Sequence, residues 1–392
     1  MASDMTKLNG NARHVAELDA SLLKIQLAET LKPIPASGTY TFGDIKTDHM
    51  LVMTYEPING WAAPEIKPYG PLALDPASNC FQYCTNVFEG MKAFLDPEGK
   101  PRLFRPDQNM TRLVSSAARM ALPPFDPEAL LICIKKLVNI ESRWIPTLEG
   151  HSLYIRPTMI GTKPSIKVGA SDHATLYTIV TPVGPYFPTA NTAVSLLAVG
   201  EHVRSWPGGT GGFKLGLNYS PGFVPQRAAA VLGYDQVLWL LGEDKKITEA
   251  GAMNFFAVVE RDGGGVDVIT PPLDGTILPG ITRESAITLL RTPGALDLPV
   301  GMSVHVEERE VTVGELAGWA LKGKLLEIFG TGTAVLVVAI ERIGDFVDGK
   351  NVKDIVVKQQ GGLGTIGQAL WDKLLALKEG RADFEGWSVL CE

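Results

Sequence analysis

One stretch of the sequence, residues 208–219, reads GGTGGFKLGLNY and places a single lysine, Lys214, among glycines and apolar residues. No other charged residue lies between Arg204 and Arg227. Glycines allow a backbone to approach a bulky ligand closely, and shielding from water favours the neutral amine with which a lysine forms a Schiff base. Taken alone, the stretch fits a Schiff-base site, with the phenol of Tyr219 in the same space, or an ordinary glycine-rich loop.

The composition is that of an ordinary globular protein. Hydrophobic residues make up 45% of the 392 residues and charged residues 20%, which excludes a disordered, collagen-like or coiled-coil chain. The length corresponds to two or three domains. The net charge is −7 without a basic block, so no nucleic-acid partner is expected. No apolar run reaches the ~18–20 residues of a membrane helix, so no membrane partner is expected either.

The cysteines and the first residues of the chain bear on its compartment. Four cysteines in so long a chain are not a disulfide framework, and they indicate free thiols in a reducing compartment. Cys80 and Cys84 lie four residues apart, but no second Cys or His pair has zinc-ligand spacing, so no metal is expected. Residues 1–24 resemble neither a secretory signal nor a mitochondrial presequence. We therefore expect a cytoplasmic protein.

The chain is predicted to form an α+β fold of two domains. Residues 1–36 are predicted to be a polar helical extension, and residues 37–183 a smaller N-terminal domain in which strands and helices alternate. The Pro- and Gly-rich residues 184–191 are the best candidate for a linker. Residues 192–392 form the larger domain. A ligand site is expected between the two domains.

Residue types and periodicity predict the individual elements. Asp126 and the proline after it are typical of a helix start, and residues 262–265 are typical of a hairpin turn. GxGxxG at residues 362–367 matches a dinucleotide fingerprint, but too little chain follows, so it is predicted to be a loop before a terminal helix. The other predicted helices are 283–290, 313–321 and 365–377, and the predicted strands are 40–42, 49–55, 81–88, 153–160, 175–183, 192–199, 236–241, 255–260 and 266–270.

Three further segments add the parts of a cofactor site to the lysine. Residues 277–285, ILPGITRES, are a turn that leads into a helix, so the free amides of Ile281 and Thr282 form an anion site. Residues 329–334, FGTGTA, form a second amide-rich turn. Glu249 is placed at the end of a strand among small residues. A pyridine ring needs an acid at its nitrogen, a lysine at its aldehyde and an anion site for its phosphate, so this combination indicates pyridoxal phosphate.

Longer motifs extend this pattern over most of the chain. They are FEGMKAF at 88–94, LFRP at 103–106, SLYIRP at 152–157, KLGLNY at 214–219, TEAGAMN at 248–254 and GTGTA at 330–334. With these motifs the sequence, from about residue 42 to its end, resembles the branched-chain amino-acid aminotransferases, which belong to the fold-type IV class of pyridoxal-phosphate enzymes. The resemblance implies that class's two-domain fold, with the cofactor between the domains.

The resemblance also implies a role for each cofactor residue. Lys214 would form the internal aldimine with the cofactor and move the proton. Glu249 would hold the pyridine nitrogen, and Tyr219 the ring hydroxyl. The phosphate would be bound by Arg112, by the amides of Ile281 and Thr282, and by Gly332 and Thr333.

The implied substrate site is apolar and shared between the subunits of a homodimer. Arg156 would receive the distal carboxylate of glutamate. Many relatives have threonine where this chain has Ala252, so the amides of Ala252 and Ala334 would have to bind the substrate carboxylate. The substrate side chain would meet Phe42, Phe88, Tyr154 and Tyr186, with Tyr83, Ile166 and Val168 contributed by the partner subunit.

The function implied is the reversible transamination of leucine, isoleucine and valine with 2-oxoglutarate, which gives branched-chain 2-oxo acids and glutamate. One alternative is another fold-type IV enzyme, such as a D-amino-acid aminotransferase or an aminodeoxychorismate lyase, although the long motifs in the first domain argue against both. A second alternative is a catalytically silent binding or scaffold protein. A yellow protein with a cofactor that borohydride fixes on Lys214 would exclude it.

Overall fold

The computed structural model is built on two β-sheets. It describes residues 15–36, 38–187, 193–346, 352–358 and 361–392. Within these ranges the strands, in chain order, are β1 (Lys24–Ile25), β2 (His49–Glu56), β3 (Gly60–Trp61), β4 (Glu65–Pro68), β5 (Asn86–Phe88), β6 (Met91–Leu95), β7 (Pro101–Phe104), β8 (Ser152–Gly161), β9 (Ala174–Val183), β10 (Val194–Val199), β11 (Gln236–Leu241), β12 (Lys246–Ala250), β13 (Met253–Glu260), β14 (Val266–Thr270), β15 (Val304–Glu308), β16 (Leu325–Gly332), β17 (Leu336–Phe346), β18 (Val352–Val356) and β19 (Ser388–Leu390).

The helices cover the faces of these sheets. They are α1 (Asn79–Tyr83), α2 (Pro106–Arg119), α3 (Pro127–Ile140), α4 (Phe223–Val231), α5 (Ile281–Arg291), α6 (Val313–Leu321) and α7 (Thr365–Lys378).

The first sheet is formed by the first half of the chain and one strand from its end. Its order is β1-β4-β2-β9-β8-β6-β7-β19, with β3 paired to β2 and β5 to β8. The β8–β9 hairpin pairs in register from Ser152 opposite Val183 to Gly161 opposite Ala174, and so forms the long centre of the sheet. At one edge β19 pairs antiparallel with β7, so the last residues of the chain complete a sheet that the first half begins.

The second sheet has the order β12-β11-β10-β17-β16-β13-β14-β15, with β18 paired to β17 and a further pairing of β12 with β13. It is a mixed sheet, in which β10 runs parallel to both β11 and β17. Strand β12 pairs antiparallel with β13, and β16 pairs antiparallel with β17, so that a turn connects the two strands of each pair. These two turns contribute to the candidate site.

Hydrophobic residues form separate cores on the two sheets and one core that joins them. Side chains of α2 and α3, such as Leu113 and Ile134, pack in the core of the first sheet, and Leu316 of α6 packs in that of the second. Phe94 and Phe104 of the first sheet pack in the same core as residues of α5 and α7. This shared core fixes the two sheets against each other, and it therefore fixes any site formed between them.

Local sequence signals account for several elements. The Asp126 carboxylate accepts hydrogen bonds from the N–H groups of Glu128 and Ala129, and thereby caps α3 as predicted. The predicted limits of 236–241, 266–270 and 313–321 are those of β11, β14 and α6. The prediction that the GxGxxG match is a loop before a helix is also confirmed, because α7 begins at Thr365.

Three local predictions are wrong. Residues 15–36 contain a short 3-10 helix at Ala20–Leu22 and strand β1, rather than the predicted polar helix, and residues 1–14 lie outside the described part. The physical reason is that β1 pairs with β4 on the side that β2 leaves open, where the backbone groups of β4 would otherwise lack partners. Residues 40–42 are a loop that enters a turn, and the first part of the predicted strand 81–88 belongs to α1.

The other organisational predictions concern the linker, the cysteines and the membrane. Residues 188–191 of the predicted linker lie outside the described part, and the domain boundaries stay predictions. Each of the four cysteines is a free thiol, as expected. Among the described helices, none combines the length and the apolar character needed to span a bilayer.

Candidate active site

A cavity of about 570 Å³ brings together most of the residues to which the sequence assigns a role. Its wall contains side chains of both sheets and of the segments that connect them. The predicted residues that line it are Phe42, Phe88, Arg112, Tyr154, Arg156, Tyr186, Lys214, Tyr219, Ala252, Ile281, Thr282, Gly332, Thr333 and Ala334.

The glycine-rich loop holds Lys214 against the end of β5. The Lys214 N–H donates to Oγ of Ser116 (2.9 Å), and the Phe88 N–H donates to the Lys214 carbonyl oxygen (3.2 Å). The lysine side chain is half-buried. Its Nζ lies 3.3 Å from the Tyr219 hydroxyl and 4.8 Å from the centroid of the Phe88 ring. The backbone of Lys214 is therefore fixed, while its amine faces the cavity between two aromatic rings.

Glu249 lies directly behind the cavity wall and is paired with an arginine. It is 3% exposed, and its Oε2 lies 2.7 Å from Nε of Arg204, which is itself 6% exposed. Its Oε1 accepts a hydrogen bond from the N–H of Leu278 (2.7 Å), a residue of the wall. Burial raises the pKa of Glu249 above its ordinary value, and the charge of Arg204 opposes that rise. The residues of the cavity wall therefore cover the Glu249 carboxylate, which the sequence predicts to be a cofactor-binding group.

Arg112, on α2, is held by a buried carboxylate to which the sequence analysis gave no role. Its Nε and Nη2 form a bidentate pair with Oε1 and Oε2 of Glu89 (2.7 and 2.8 Å). Its remaining Nη1 donates to the carbonyl oxygen of Pro279 (2.9 Å). Although burial raises the pKa of Glu89, the Arg112 charge outweighs this effect, and the pKa lies below its ordinary value. The pair is therefore ionised, and it fixes the orientation of Arg112.

Two backbone segments lie at the same end of the cavity as Arg112. Helix α5 begins at Ile281, and its N-cap Gly280 supplies no side-chain hydrogen bond, so the first amides are free to bind an anion. A side chain at Gly280 would collide with the amide oxygen of Asn254. The second segment is the turn that follows Gly332 between β16 and β17. An arginine and two sets of backbone amides thus converge in one place.

The rest of the cavity is an aromatic cage. Phe42 meets Tyr154 and Tyr186 edge-on, with ring centroids 4.8 and 5.4 Å apart. Phe88 and Tyr219 are tilted against each other at 5.1 Å. Such a surface suits an apolar ligand of moderate size.

Arg156 is the exception in this cage. Tyr154 and Arg156 are two residues apart on β8 and so point to the same face of the sheet. Nη2 of Arg156 donates to the Tyr154 hydroxyl (3.1 Å), and the guanidinium lies 4.7 Å from the Phe88 ring centroid. Nε of Arg156 is buried without a hydrogen-bond partner, and no carboxylate pairs with it among the described residues. The Arg156 guanidinium can therefore bind an anion, and none of the described residues supplies one.

Other buried polar atoms of the wall are also unpartnered. Oδ1 of Asn86 and Oγ1 of Thr331 have no hydrogen-bond partner among the described residues. Buried polar groups without partners are rare and point to a ligand or water. Together with the lysine, the buried acid and the anion site, these atoms fit pyridoxal phosphate.

Besides Glu249, the residues Tyr83, Ile166, Val168 and Arg204 lie outside the cavity wall. Ile166 and Val168 are 72% and 79% exposed, and the Tyr83 hydroxyl donates to the carbonyl oxygen of Ile166. These three were expected from a partner subunit, so their place on the surface agrees with that expectation without testing it. Arg204, the charged residue that precedes Lys214 in the sequence, is bound to Glu249.

Sequence reasoning missed Glu89, Ser116 and Asn254, which position other site residues. Asn254 is buried, and its amide donates to the carbonyl oxygen of Leu278 (2.9 Å). Glu89 and Asn254 lie inside two of the quoted motifs. Each is a polar residue beside apolar ones, a pattern that could have indicated a buried partner.

Comparison with known proteins identifies the family. The family model of class IV amino-transferases matches residues 86–343. The mitochondrial branched-chain-amino-acid aminotransferase of Schizosaccharomyces pombe is 47% identical over 326 residues, which cover 83% of this chain and 75% of the relative. The cytosolic branched-chain-amino-acid aminotransferase of Saccharomyces cerevisiae is 44% identical over 331 residues, which cover 84% of this chain and 87% of the relative.

The fold is likewise that of a solved structure. The T.th. branched-chain amino acid aminotransferase complexed with N-(5'-phosphopyridoxyl)-L-glutamate superposes with a TM-score of 0.65 at 23% identity, over 87% of this chain and 98% of that chain. This likeness confirms the predicted α+β fold of the fold-type IV class. Because the family model spans more than half of the sequence and the relatives are 44–47% identical over most of it, the chain belongs to the class IV aminotransferases, in the family of the branched-chain-amino-acid aminotransferases.

Proposed function

We propose that the chain transfers the amino group of leucine, isoleucine or valine to 2-oxoglutarate, reversibly and with pyridoxal phosphate as cofactor. The observation that carries this proposal is the presence of the Lys214 amine and the unpaired Arg156 guanidinium in one aromatic cavity. The amine suits the chemistry of an amino acid and an aldehyde cofactor. The guanidinium suits a substrate with a second carboxylate, and the cage suits a branched alkyl group.

The cofactor has a complementary set of residues in this cavity. Arg112, the first amides of α5 and the turn after Gly332 would bind its phosphate, and Glu249 would hold its ring nitrogen. When bound, pyridoxal phosphate supplies the electron sink for the bond that breaks at the amino-acid Cα. The bidentate pair with Glu89 holds the Arg112 guanidinium in place before the phosphate arrives.

Lys214 moves the proton in this proposal. Its Nζ removes the proton from the substrate Cα as general base and later returns a proton as general acid. The Tyr219 hydroxyl, 3.3 Å from Nζ, orients the amine. The Phe88 and Tyr219 rings limit the access of water on this side of the cavity.

One cavity must accept both an isobutyl group and a carboxylate. The rings of Phe42, Tyr154 and Tyr186 offer the alkyl group an apolar surface. Arg156, at the edge of the same surface, offers the distal carboxylate of glutamate or 2-oxoglutarate a charge-assisted hydrogen bond. Because Nε of Arg156 is buried and has no hydrogen-bond partner, Arg156 can bind this carboxylate without breaking an existing ion pair.

The alternative activities are not favoured. Relatives that match most of the chain are named as branched-chain-amino-acid aminotransferases, rather than as D-amino-acid aminotransferases or lyases. An open cavity with a lysine, a buried acid and an anion site also gives no support to a silent scaffold.

A homodimer and a cytoplasmic location belong to the same proposal. The exposed Ile166 and Val168 support the dimer, since large apolar side chains at the surface of a monomer are unfavourable when clustered. Light scattering should give twice the chain mass of 42.2 kDa, and Val168→Asp should lower that mass.

The free thiols support a reducing compartment. Relatives are named as mitochondrial and as cytosolic, so fractionation of the source cells is the test of a cytoplasmic location.

Spectra of the purified protein test the function directly. Borohydride should fix the cofactor on Lys214, as peptide mapping would show. Addition of leucine, then of 2-oxoglutarate, should convert the cofactor spectrum and restore it. A spectrum that leucine leaves unchanged would refute the proposal.

A further inference from the structure

A second cavity, of about 470 Å³, lies next to the substrate cavity. The two cavities share Tyr186, Phe187 and the turn at residues 333–335. The rest of the second wall comes from β6, β17, α7, the segment before α7 and the residues Glu149, Gly150 and Pro185. Of the residues proposed above for proton transfer or phosphate binding, only those of the turn at 333–335 line it.

Two lysines, the buried Lys378 and the half-buried Lys92, line this second cavity. Lys378, in the last turn of α7, is 3% exposed, and its amine has no hydrogen-bond or ion-pair partner among the described residues. The Phe104 ring lies 5.0 Å from its Nζ. Lys92, on β6, donates one hydrogen bond, to the carbonyl oxygen of Ala334 (2.7 Å), and pairs with no carboxylate in the described part of the chain. Buried ammonium groups that lack an anion are unfavourable.

The two amines also affect each other. Burial lowers the pKa of Lys92 to about 8. Burial, and then the charge of Lys92, lowers the pKa of Lys378 to about 7. A negative charge between the two amines would oppose both effects. Glu149 lines the cavity but is exposed, and within the described structure it forms no ion pair with either lysine.

Much of the remaining wall is apolar, although Glu149, Tyr186, Thr333 and Gln368 also line it. A fully hydrated inorganic ion is therefore not the best ligand for this cavity, because it would leave the apolar part of the wall uncovered. The apolar side chains include Phe94, Val337, Ala339, Leu363, Trp371 and Leu375.

We propose that this cavity is a binding site for a small carboxylate with an apolar body, whose charge lies between Lys92 and Lys378. The carboxylate pairs with the amines of the buried Lys378 and the half-buried Lys92, and the apolar body covers the aromatic and aliphatic part of the wall. The site is distinct from the substrate cavity, which has its own cation in Arg156. It does not depend on the proposed transamination.

The number of sites per chain tests this proposal. The probe is 4-methylpentanoate, which cannot react, titrated calorimetrically into the cofactor-loaded full chain. The substrate cavity takes the same acid, and only that event should change the cofactor spectrum. We expect two sites per chain in the wild type and one in Lys378→Met and in Lys92→Met. Lys373→Met, on the same helix but outside the cavity wall, is the matched control and should keep both sites.

Methionine has nearly the length of lysine without its charge, so Lys378→Met should melt at or above the wild-type temperature, and Lys378→Gln provides a second variant. A wild type without a site that leaves the cofactor spectrum unchanged, or the persistence of that site in both methionine variants, would overturn the proposal. Displacement of the second molecule by an equal concentration of inorganic phosphate would overturn it too, since the apolar wall would then contribute nothing. The second site is recognised as the binding event that leaves the cofactor spectrum unchanged, so it is counted whether or not the substrate cavity binds the acid, and the two proposals fail separately.

Discussion

Replacing Arg156 by leucine should separate the two halves of the catalytic cycle. Leucine as a substrate has no distal charge, so its half-reaction does not use the guanidinium. Glutamate and 2-oxoglutarate bring a second carboxylate into a cage formed by Phe42, Tyr154 and Tyr186. Without Arg156 the Tyr154 hydroxyl, to which Nη2 of Arg156 donates, stays in place, but a neutral hydroxyl compensates little of the carboxylate's desolvation.

The structure sets the size of this effect. The Arg156 guanidinium lies 4.7 Å from the Phe88 ring centroid, and its Nε is buried without a partner, so a bound carboxylate would be largely desolvated. Removal of one partner from such a pair costs about 2–5 kcal/mol. At about 1.4 kcal/mol per tenfold, this corresponds to a loss of roughly 30-fold to several thousandfold with glutamate. The rate constant with leucine should stay close to that of the wild type.

Single-turnover spectra of the cofactor measure the two halves separately. One series uses leucine with the cofactor in its aldehyde form, and the other uses glutamate under the same conditions. Arg381→Leu is the matched control, because Arg381 is 51% exposed and its ion pair with Glu379 lies at the surface. This control should leave both rates unchanged.

Equal losses with leucine and glutamate would refute the assignment, since they would mean that Arg156 supports the cage and not the carboxylate. Arg204 would not then replace it, because its guanidinium is already bound to Glu249.

The remaining predictions concern the cofactor end of the cavity. Lys214→Ala should abolish turnover with an unchanged melting temperature, and near-wild-type turnover would contradict its role. Glu249→Gln should lower kcat by roughly 10²–10⁴, because a neutral amide cannot keep a proton on the ring nitrogen; a kcat within the error of the wild-type assay would contradict this. Burial raises the pKa of Glu249, and the charge of Arg204 opposes this rise. Arg204→Gln should therefore raise the pKa of Glu249 further and move the acidic limb of the pH profile of kcat to higher pH. Identical pH profiles for the variant and the wild type would refute this connection between Arg204 and Glu249. Glu89→Gln leaves the buried Arg112 with a broken ion pair and should lower the free energy of unfolding by about 3–5 kcal/mol in urea titrations, whereas an unchanged value would show that the pair is dispensable.

Local patterns in the sequence determine many of the elements. The strands β11 and β14 and the helix α6 have their predicted limits, because alternation, capping residues and turn residues act within a few positions of each other. Residues 40–42 show the limit of this reasoning. They have the composition of a strand but no neighbouring strand to pair with in the described part of the chain, and they form a loop that enters a turn.

The sequence also determines which residues belong to the candidate site. Most of the positions named from the motifs lie round one cavity, although their roles stay predictions. A motif predicts which residues lie at the site because a whole stretch of backbone, such as residues 208–219, forms part of that site.

Only the tertiary structure decides how these residues are paired. Glu89 meets Arg112, and Arg204 meets Glu249, across loops and strands that the fold brings together. In the sequence each of these residues is compatible with a solvated surface. Burial decides otherwise, because a charge removed from water must find its opposite among the few groups that the fold places within reach. For the same reason the two lysines of the second cavity, Lys92 and Lys378, are inconspicuous in the sequence. They become a candidate site only when the fold places both in one cavity wall, where neither pairs with a carboxylate among the described residues.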